Sequence, residues 1–141
     1  MGCIFCDIIA GETPATFVCR DEHIAAFMDI QPVNSGHVLI VPVDHFTGLG
    51  DLPADIGSKM FGTAQRVSDA LRKSGLKCEG VNLLFADGAA AMQEIFHAHL
   101  HVFPRFANDG FGLKFPESYV RCPSRKALEV AAAKIRAALD A

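Results

Sequence analysis

Residues 97–103 read His-Ala-His-Leu-His-Val-Phe, three histidines in strict alternation with apolar residues. In extended chain, successive side chains point to opposite faces. His97, His99 and His101 therefore share one face, and Ala98, Leu100 and Val102 the other. A row of imidazoles in a half-buried strand is costly unless each ring has a polar partner. The stretch calls for a sheet with an apolar layer on one side and a polar site on the other. One isolated histidine is most simply a satisfied side chain. Three in alternation point to a metal site or to histidines tuned for chemistry.

The remaining elements arrange themselves around that strand. Ile4, Phe5, Ile8 and Ile9 recur at helical spacing over 3–9, before a glycine at position 11, which predicts one or two helical turns. Strands are expected at 16–20 and 23–29, joined as a hairpin by Asp21 and Glu22. Residues 37–43 are almost continuously apolar, as in a central strand covered on both faces. The span 52–75 reads as the main helix, with Pro53 early, Gly75 past its end, and Ile56, Met60, Ala64, Val67 and Leu71 as its apolar stripe. A fourth strand is expected at 80–86 and a fifth, holding the histidines, at 94–105. A loop at 106–119 then leads to a C-terminal helix at 123–139, with Leu128, Ala131, Ile135 and Leu139 on one side.

At 141 residues the chain is expected to form one domain over 1–141, large enough for a real core. The net charge of -3 and the lack of a basic run argue against nucleic acid as a partner, because phosphate-backbone binding needs clustered Lys and Arg. No apolar run reaches membrane-spanning length, and the N-terminus lacks the charged and apolar regions of a signal peptide. No membrane partner is expected, and the cytoplasm is the default location. Five cysteines do not form a closed set of disulfides. Cys19, Cys78 and Cys122 stand alone, whereas Cys3-x-x-Cys6 suits either half a zinc site or a redox dithiol.

The pattern His-φ-His-φ-His-φ-φ, filled here by residues 97–103 and followed by Pro104-Arg105, resembles the signature of the histidine triad (HIT) family of nucleotide-binding proteins. With Cys3-x-x-Cys6 in front, the chain looks closest to the bacterial branch carrying an N-terminal zinc motif. The resemblance implies an α+β fold, a five-stranded antiparallel sheet with one long helix, a short N-terminal helix and a C-terminal helix. It also implies a homodimer formed through the long helix and a sheet edge. It assigns the nucleophile to the middle histidine, His99, flanked by His97, His101 and His37. The implied chemistry is attack on the α-phosphorus of a nucleotide derivative, giving a nucleotidyl-imidazole that water releases as the monophosphate.

Further matches imply a role for each residue. Asp29 would accept hydrogen bonds from ribose hydroxyls, and Ile4, Phe5, Ile8, Phe27 and Ile30 would hold the base. Gln93 and His101 would stand beside the phosphate. Cys3, Cys6, His45 and His97 would close a structural zinc (Zn2+) site. Two positions depart from the family pattern. Ala86 replaces an asparagine that helps bind phosphate, and Met92 replaces a glycine. The expected activity is a nucleotide hydrolase or transferase acting on purine nucleoside phosphoramidates or related nucleotidyl substrates. Its rivals are a dinucleoside polyphosphate hydrolase, a purine-nucleotide-binding or interaction module with vestigial catalysis, and a metallohydrolase built on the histidine row.

Overall fold

The computed structural model describes residues 2–141. Five strands form one antiparallel sheet in the order β1-β2-β3-β5-β4, with β1 at Phe17–Arg20, β2 at Ile24–Met28, β3 at Val38–Pro42, β4 at Gly80–Phe85 and β5 at Leu100–Arg105. Three α-helices accompany it: α1 at Ile4–Ala10, α2 at Ala54–Lys73 and α3 at Arg125–Leu139. The α+β architecture expected from the sequence is the one observed. The chain groups into two compact units, Met1–Gly110 and Phe111–Ala141. Among the described residues no helix is long and apolar enough to cross a membrane.

In the first unit, strand alternation sorts the core onto two faces. Ile24, Ala26, Val38, Ile40, Leu100 and Val102 pack with Met60, Ala64, Val67 and Leu71 of α2. Ala25, Phe27, Leu39 and Val41 pack on the opposite face with Phe5 and Ile8 of α1. Each large side chain so buried contributes roughly 1.5–3 kcal/mol. With both faces covered, every residue of β3 is buried. The α2 stripe forms because its apolar residues recur at the helical period, and Thr63 joins it with its hydroxyl bonded to the Lys59 carbonyl. Helix α1 stops at Gly11, whose φ of 82° is the left-handed conformation that a glycine adopts without cost.

The triad strand begins later than the expected 94–105. The ladder starts at Leu100, and His97 and His99 lie ahead of it. The reason is local. The His97 carbonyl accepts a hydrogen bond from the His99 imidazole at 2.7 Å, and the Ala98 N–H donates to the Phe46 carbonyl at 2.6 Å. These bonds replace ladder bonds and tie the approach to the loop after β3.

The second unit holds a short 3-10 turn at Glu117–Val120 and α3, capped by the Ser124 hydroxyl, which accepts from Ala127 N–H at 3.1 Å. None of the α3 residues is buried.

Candidate functional site

Three loops and the start of β5 converge beside α1. The segment before the triad is held by Gln93, which is buried. Its amide donates to the carbonyls of Thr47 (2.8 Å) and Ile95 (3.0 Å), and its Oε1 accepts from Gly88 N–H at 2.8 Å. It buckles the 47–49 and 88–95 segments together. Asp87 adds a second tie by accepting from Leu49 N–H at 3.0 Å. Met92, at the position where the family pattern has glycine, adopts φ 69° and is 78% exposed. A left-handed conformation in a side chain of that size stores about 1–2 kcal/mol.

The buckled segment, α1 and the ends of β2 and β3 enclose a cavity of about 390 Å³. Its apolar wall comes from Ile4, Phe5, Ile8, Phe27 and Leu39. The Phe5 ring meets the Phe27 ring edge-on at 5.4 Å and the His99 ring at 5.2 Å. His99, His101 and Asp29 also line the cavity, and Ile30 stands at its rim, 95% exposed. Reading from sequence missed Leu39, which pairs with His101 across the β3–β5 ladder, and Glu94 and Thr13, whereas Met92, singled out in the sequence, does line the cavity. The lining has no Lys or Arg side chain.

Hydrogen bonds set the protonation pattern of each imidazole. The Val33 backbone N–H donates to His37 Nδ1 at 3.0 Å, so His37 carries its proton on Nε2. His37 Nε2 lies 2.9 Å from His101 Nδ1, which must then accept, leaving the proton of His101 on Nε2. Asp29 Oδ2 stands 3.4 Å from His37 Nε2 and 3.9 Å from His101 Nδ1, while Asp29 Oδ1 accepts from Gln31 N–H at 2.8 Å. His99 differs, because its Nδ1–H is fixed on the His97 carbonyl and its Nε2 keeps a free lone pair. No buried side-chain nitrogen or oxygen among the described residues lacks a partner, so His99 Nε2 opens to solvent in the cavity its ring lines.

Burial, followed by repulsion from His99 and His37 and opposed by Asp29, brings the His101 pKa down to about 4. Burial also lowers the pKa of His37, against an opposing pull from Asp29. Both rings are therefore neutral near pH 7, one as a relay and the other as a hydrogen-bond donor. A metal ion on Asp29, His37 and His101 would need a lone pair on His37 Nε2. The Val33 N–H denies it that lone pair by occupying the other nitrogen.

The loop carrying Val33 is itself anchored. Asn34 Nδ2 donates to the Pro104 carbonyl at 2.9 Å and to Asp109 Oδ2 at 2.8 Å. Asp109 also receives the Arg105 guanidinium at 2.6 and 2.9 Å. Gly36 closes the loop at φ 105°, where an added Cβ would stand 2.9 Å from Leu71 Cδ2. Only glycine fits both the conformation and the space.

Beside the cavity, Cys3 precedes the first residue of α1 and Cys6 lies in its first turn, so the two thiols face one way. Cys3 Sγ is 3.4 Å and Cys6 Sγ 3.6 Å from His97 Nδ1, and His45 Nδ1 is 3.4 Å from Cys6 Sγ. The four ligand atoms all lie within 4.8 Å of one another. Donors around a tetrahedral zinc, at bonds of about 2.0–2.3 Å, stand roughly 3.3–3.8 Å apart. The set fits zinc in identity as well as spacing. His97 Nε2 donates to the Pro42 carbonyl at 2.8 Å, which turns its Nδ1 lone pair toward the thiols. Burial and the adjacent Cys3 push the Cys6 pKa up to about 11, so a Cys6 thiolate here needs a cation beside it. Burial likewise lowers the His97 pKa, with opposition from the Pro42 bond.

Comparison with known proteins places these features in a wider set. Residues 10–108 match the HIT domain. An uncharacterized HIT-like protein of Methanocaldococcus jannaschii is 41% identical over 115 residues, 82% of this chain and 88% of its own. An adenylylsulfatase of Arabidopsis thaliana is 36% identical over 107 residues, 76% of this chain and 54% of the longer plant protein. The crystal structure of a Zn-bound histidine triad family protein from Mycobacterium smegmatis superposes with a TM-score of 0.77 at 37% identity, covering 98% of each chain.

Proposed function

The chain belongs to the HIT domain family, and from that membership and the cavity's chemistry we propose that it is a nucleotide hydrolase working through a covalent nucleotidyl group on His99. The observation carrying this reading is the state of His99. Its Nδ1–H is held by the His97 carbonyl, and its Nε2 lone pair opens into a cavity that also has an apolar slot and a carboxylate.

In this reading a purine base enters between Phe5, Ile8 and Phe27 and is covered by Ile4 and Ile30, while Asp29 accepts from the ribose hydroxyls. His101 Nε2–H donates to a non-bridging phosphate oxygen. His99 Nε2 attacks the α-phosphorus, its bond to phosphorus forming as the leaving group departs. Water then attacks the nucleotidyl-imidazole, and the nucleoside monophosphate leaves with His99 restored. A related chain from Arabidopsis, an adenylylsulfatase, supports cleavage at an adenylyl group.

Zinc held by Cys3, Cys6, His45 and His97 would be structural, because four protein ligands leave no position for substrate. It would staple α1 to the triad and so hold one wall of the cavity. The same reading carries a homodimer through α2 and the edge strand β4, where Phe61, Leu83 and Leu84 are exposed. It also places the protein in the cytoplasm, where the two thiols stay reduced.

His99→Gly is the decisive variant. Hydrolysis of adenosine 5′-phosphoramidate should fall by more than about 100-fold, with nucleoside monophosphate binding retained. Wild-type protein quenched during turnover should carry the mass of one adenylyl group. Equal turnover by both proteins would remove the proposal.

A further inference from the structure

The thiols that would hold zinc also have the layout of a dithiol open to oxidation. Cys3 and Cys6 are free and each partly exposed, and their sulfurs lie within 4.8 Å of one another. A disulfide needs a separation of about 2.05 Å, a gap that side-chain rotation across a Cys-x-x-Cys pair can close. The cluster is open on one side. His97 is buried whereas His45 is exposed, and Cys6 Sγ is 3.4 Å from the exposed ring. Cys6 is therefore the sulfur that a small solute meets first. Cys3 stands behind it, 3.4 Å from the buried His97.

What the two thiols hold in place is a wall of the cavity. Helix α1 supplies Ile4, Phe5 and Ile8 to the lining, and the Phe5 ring meets the His97 ring edge-on at 5.8 Å and the His99 ring at 5.2 Å. His97 faces both ways. Its Nδ1 is turned to the two sulfurs, and its carbonyl accepts from His99 Nδ1–H. A single residue thus joins the thiol cluster to the imidazole assigned as nucleophile. Apart from the cluster, α1 is held by the packing of Phe5 and Ile8, and its 7 residues are too few to stay helical alone.

We propose that Cys3 and Cys6 form a reversible oxidation site, at which a peroxide joins them in a disulfide, zinc is released, and α1 detaches from His97 and loosens the cavity wall. The effect on nucleotide rests on the hydrolase reading above; the oxidation and the release of α1 do not. The chemistry balances with hydrogen peroxide as the oxidant. Cys6 Sγ attacks one peroxide oxygen, the oxygen–oxygen bond breaks, and hydroxide leaves a sulfenic acid on Cys6. Cys3 Sγ then attacks that sulfur, the sulfur–sulfur bond forms, the sulfur–oxygen bond breaks, and a second hydroxide departs. The two sulfurs give up two electrons, which the two peroxide oxygens take. A disulfide removes two of four donors, and His45 and His97 alone cannot close a tetrahedron. An external dithiol restores the pair by exchange.

The test treats the zinc-loaded protein with a small excess of hydrogen peroxide. Zinc release, read with a colorimetric chelator too weak to strip the reduced protein, should rise in step with loss of the Cys3 and Cys6 thiols. Peptide mass spectrometry should find both residues in one peptide lighter by two hydrogens. Amide exchange in α1 should rise by at least about tenfold while β3 stays protected. Adenosine 5′-monophosphate should bind about tenfold more weakly, as a preformed wall is lost. Dithiothreitol with added zinc should reverse every change. A Cys19→Ala/Cys78→Ala/Cys122→Ser protein should respond as the wild type does. Zinc retained after peroxide, or oxidation confined to Cys19, Cys78 and Cys122, overturns the oxidation site. A Cys3–Cys6 disulfide with unchanged exchange in α1 overturns its link to the cavity wall. Reduced protein that neither binds the nucleotide nor cleaves a phosphoramidate counts against the hydrolase reading alone, because zinc release and exchange are read without nucleotide.

Discussion

His101 is the residue whose environment has the clearest thermodynamic consequence. Its pKa is about 4 in the folded protein against an ordinary 6.5, because burial and two neighbouring imidazoles oppose its charge. The unfolded chain therefore binds a proton that the folded chain refuses. The stabilising contribution is full above pH 6.5 and is lost as the pH falls from 6.5 toward 4. It amounts to roughly 3 kcal/mol. His37 and His97, both lowered chiefly by burial, act in the same direction. Urea denaturation at intervals from pH 7 to pH 4.5 should show stability declining steeply, and His101→Gln should flatten the decline. Parallel pH profiles for the two proteins would rule out His101 as the source.

At the scale of elements, α1 is the dependent one. It spans only Ile4–Ala10, far shorter than a helix that stands alone in water. What holds it is the packing of Phe5 and Ile8 and the cluster of Cys3 and Cys6 with His45 and His97. Chelating zinc from the metal-loaded protein should raise amide exchange in α1 by at least about tenfold while β3 keeps its protection. Exchange mass spectrometry reads both segments in one experiment, and unchanged protection in α1 would show the cluster to be dispensable for it. Much of this arrangement is legible in sequence, since period-2 alternation puts the triad on the cavity side and the 3.6 period picks out the α2 stripe. What escapes is set by bonds with no sequence period. The start of β5 is delayed by a histidine bonding its own neighbour's carbonyl. The bonds of the Gln93 amide to three backbone groups from separate segments follow no sequence period either. The Asn34–Asp109–Arg105 clamp joins residues some seventy positions apart, a separation no local pattern reports.

Across the whole molecule, the distribution of uncovered apolar side chains matters most. On the first unit, Phe61 of α2 and Leu83 and Leu84 of β4 are exposed, on elements that the dimer reading uses. A leucine pair on an edge strand invites pairing with another chain. Leu84→Asp should convert a dimer into a monomer, with sedimentation velocity as the measurement, and a wild-type protein already monomeric would refute the dimer. The second unit carries its own uncovered set, with Leu128, Ile135 and Leu139 on α3. That stripe is readable in sequence as an amphipathic helix, but a period identifies a sticky face without naming what meets it.

The orientation of His101 as a donor begins at a main-chain amide, that of Val33, rather than at any side chain. Replacing Val33 by other ordinary residues would thus leave the proton relay intact, and a conventional alanine scan would pass over the position in silence. Proline is the exception, as it alone removes the amide hydrogen on which the two imidazoles depend. The identity of this side chain can change so long as it does not become an imino acid, so a position with no side-chain role still governs which atom of a cavity-lining ring carries its proton.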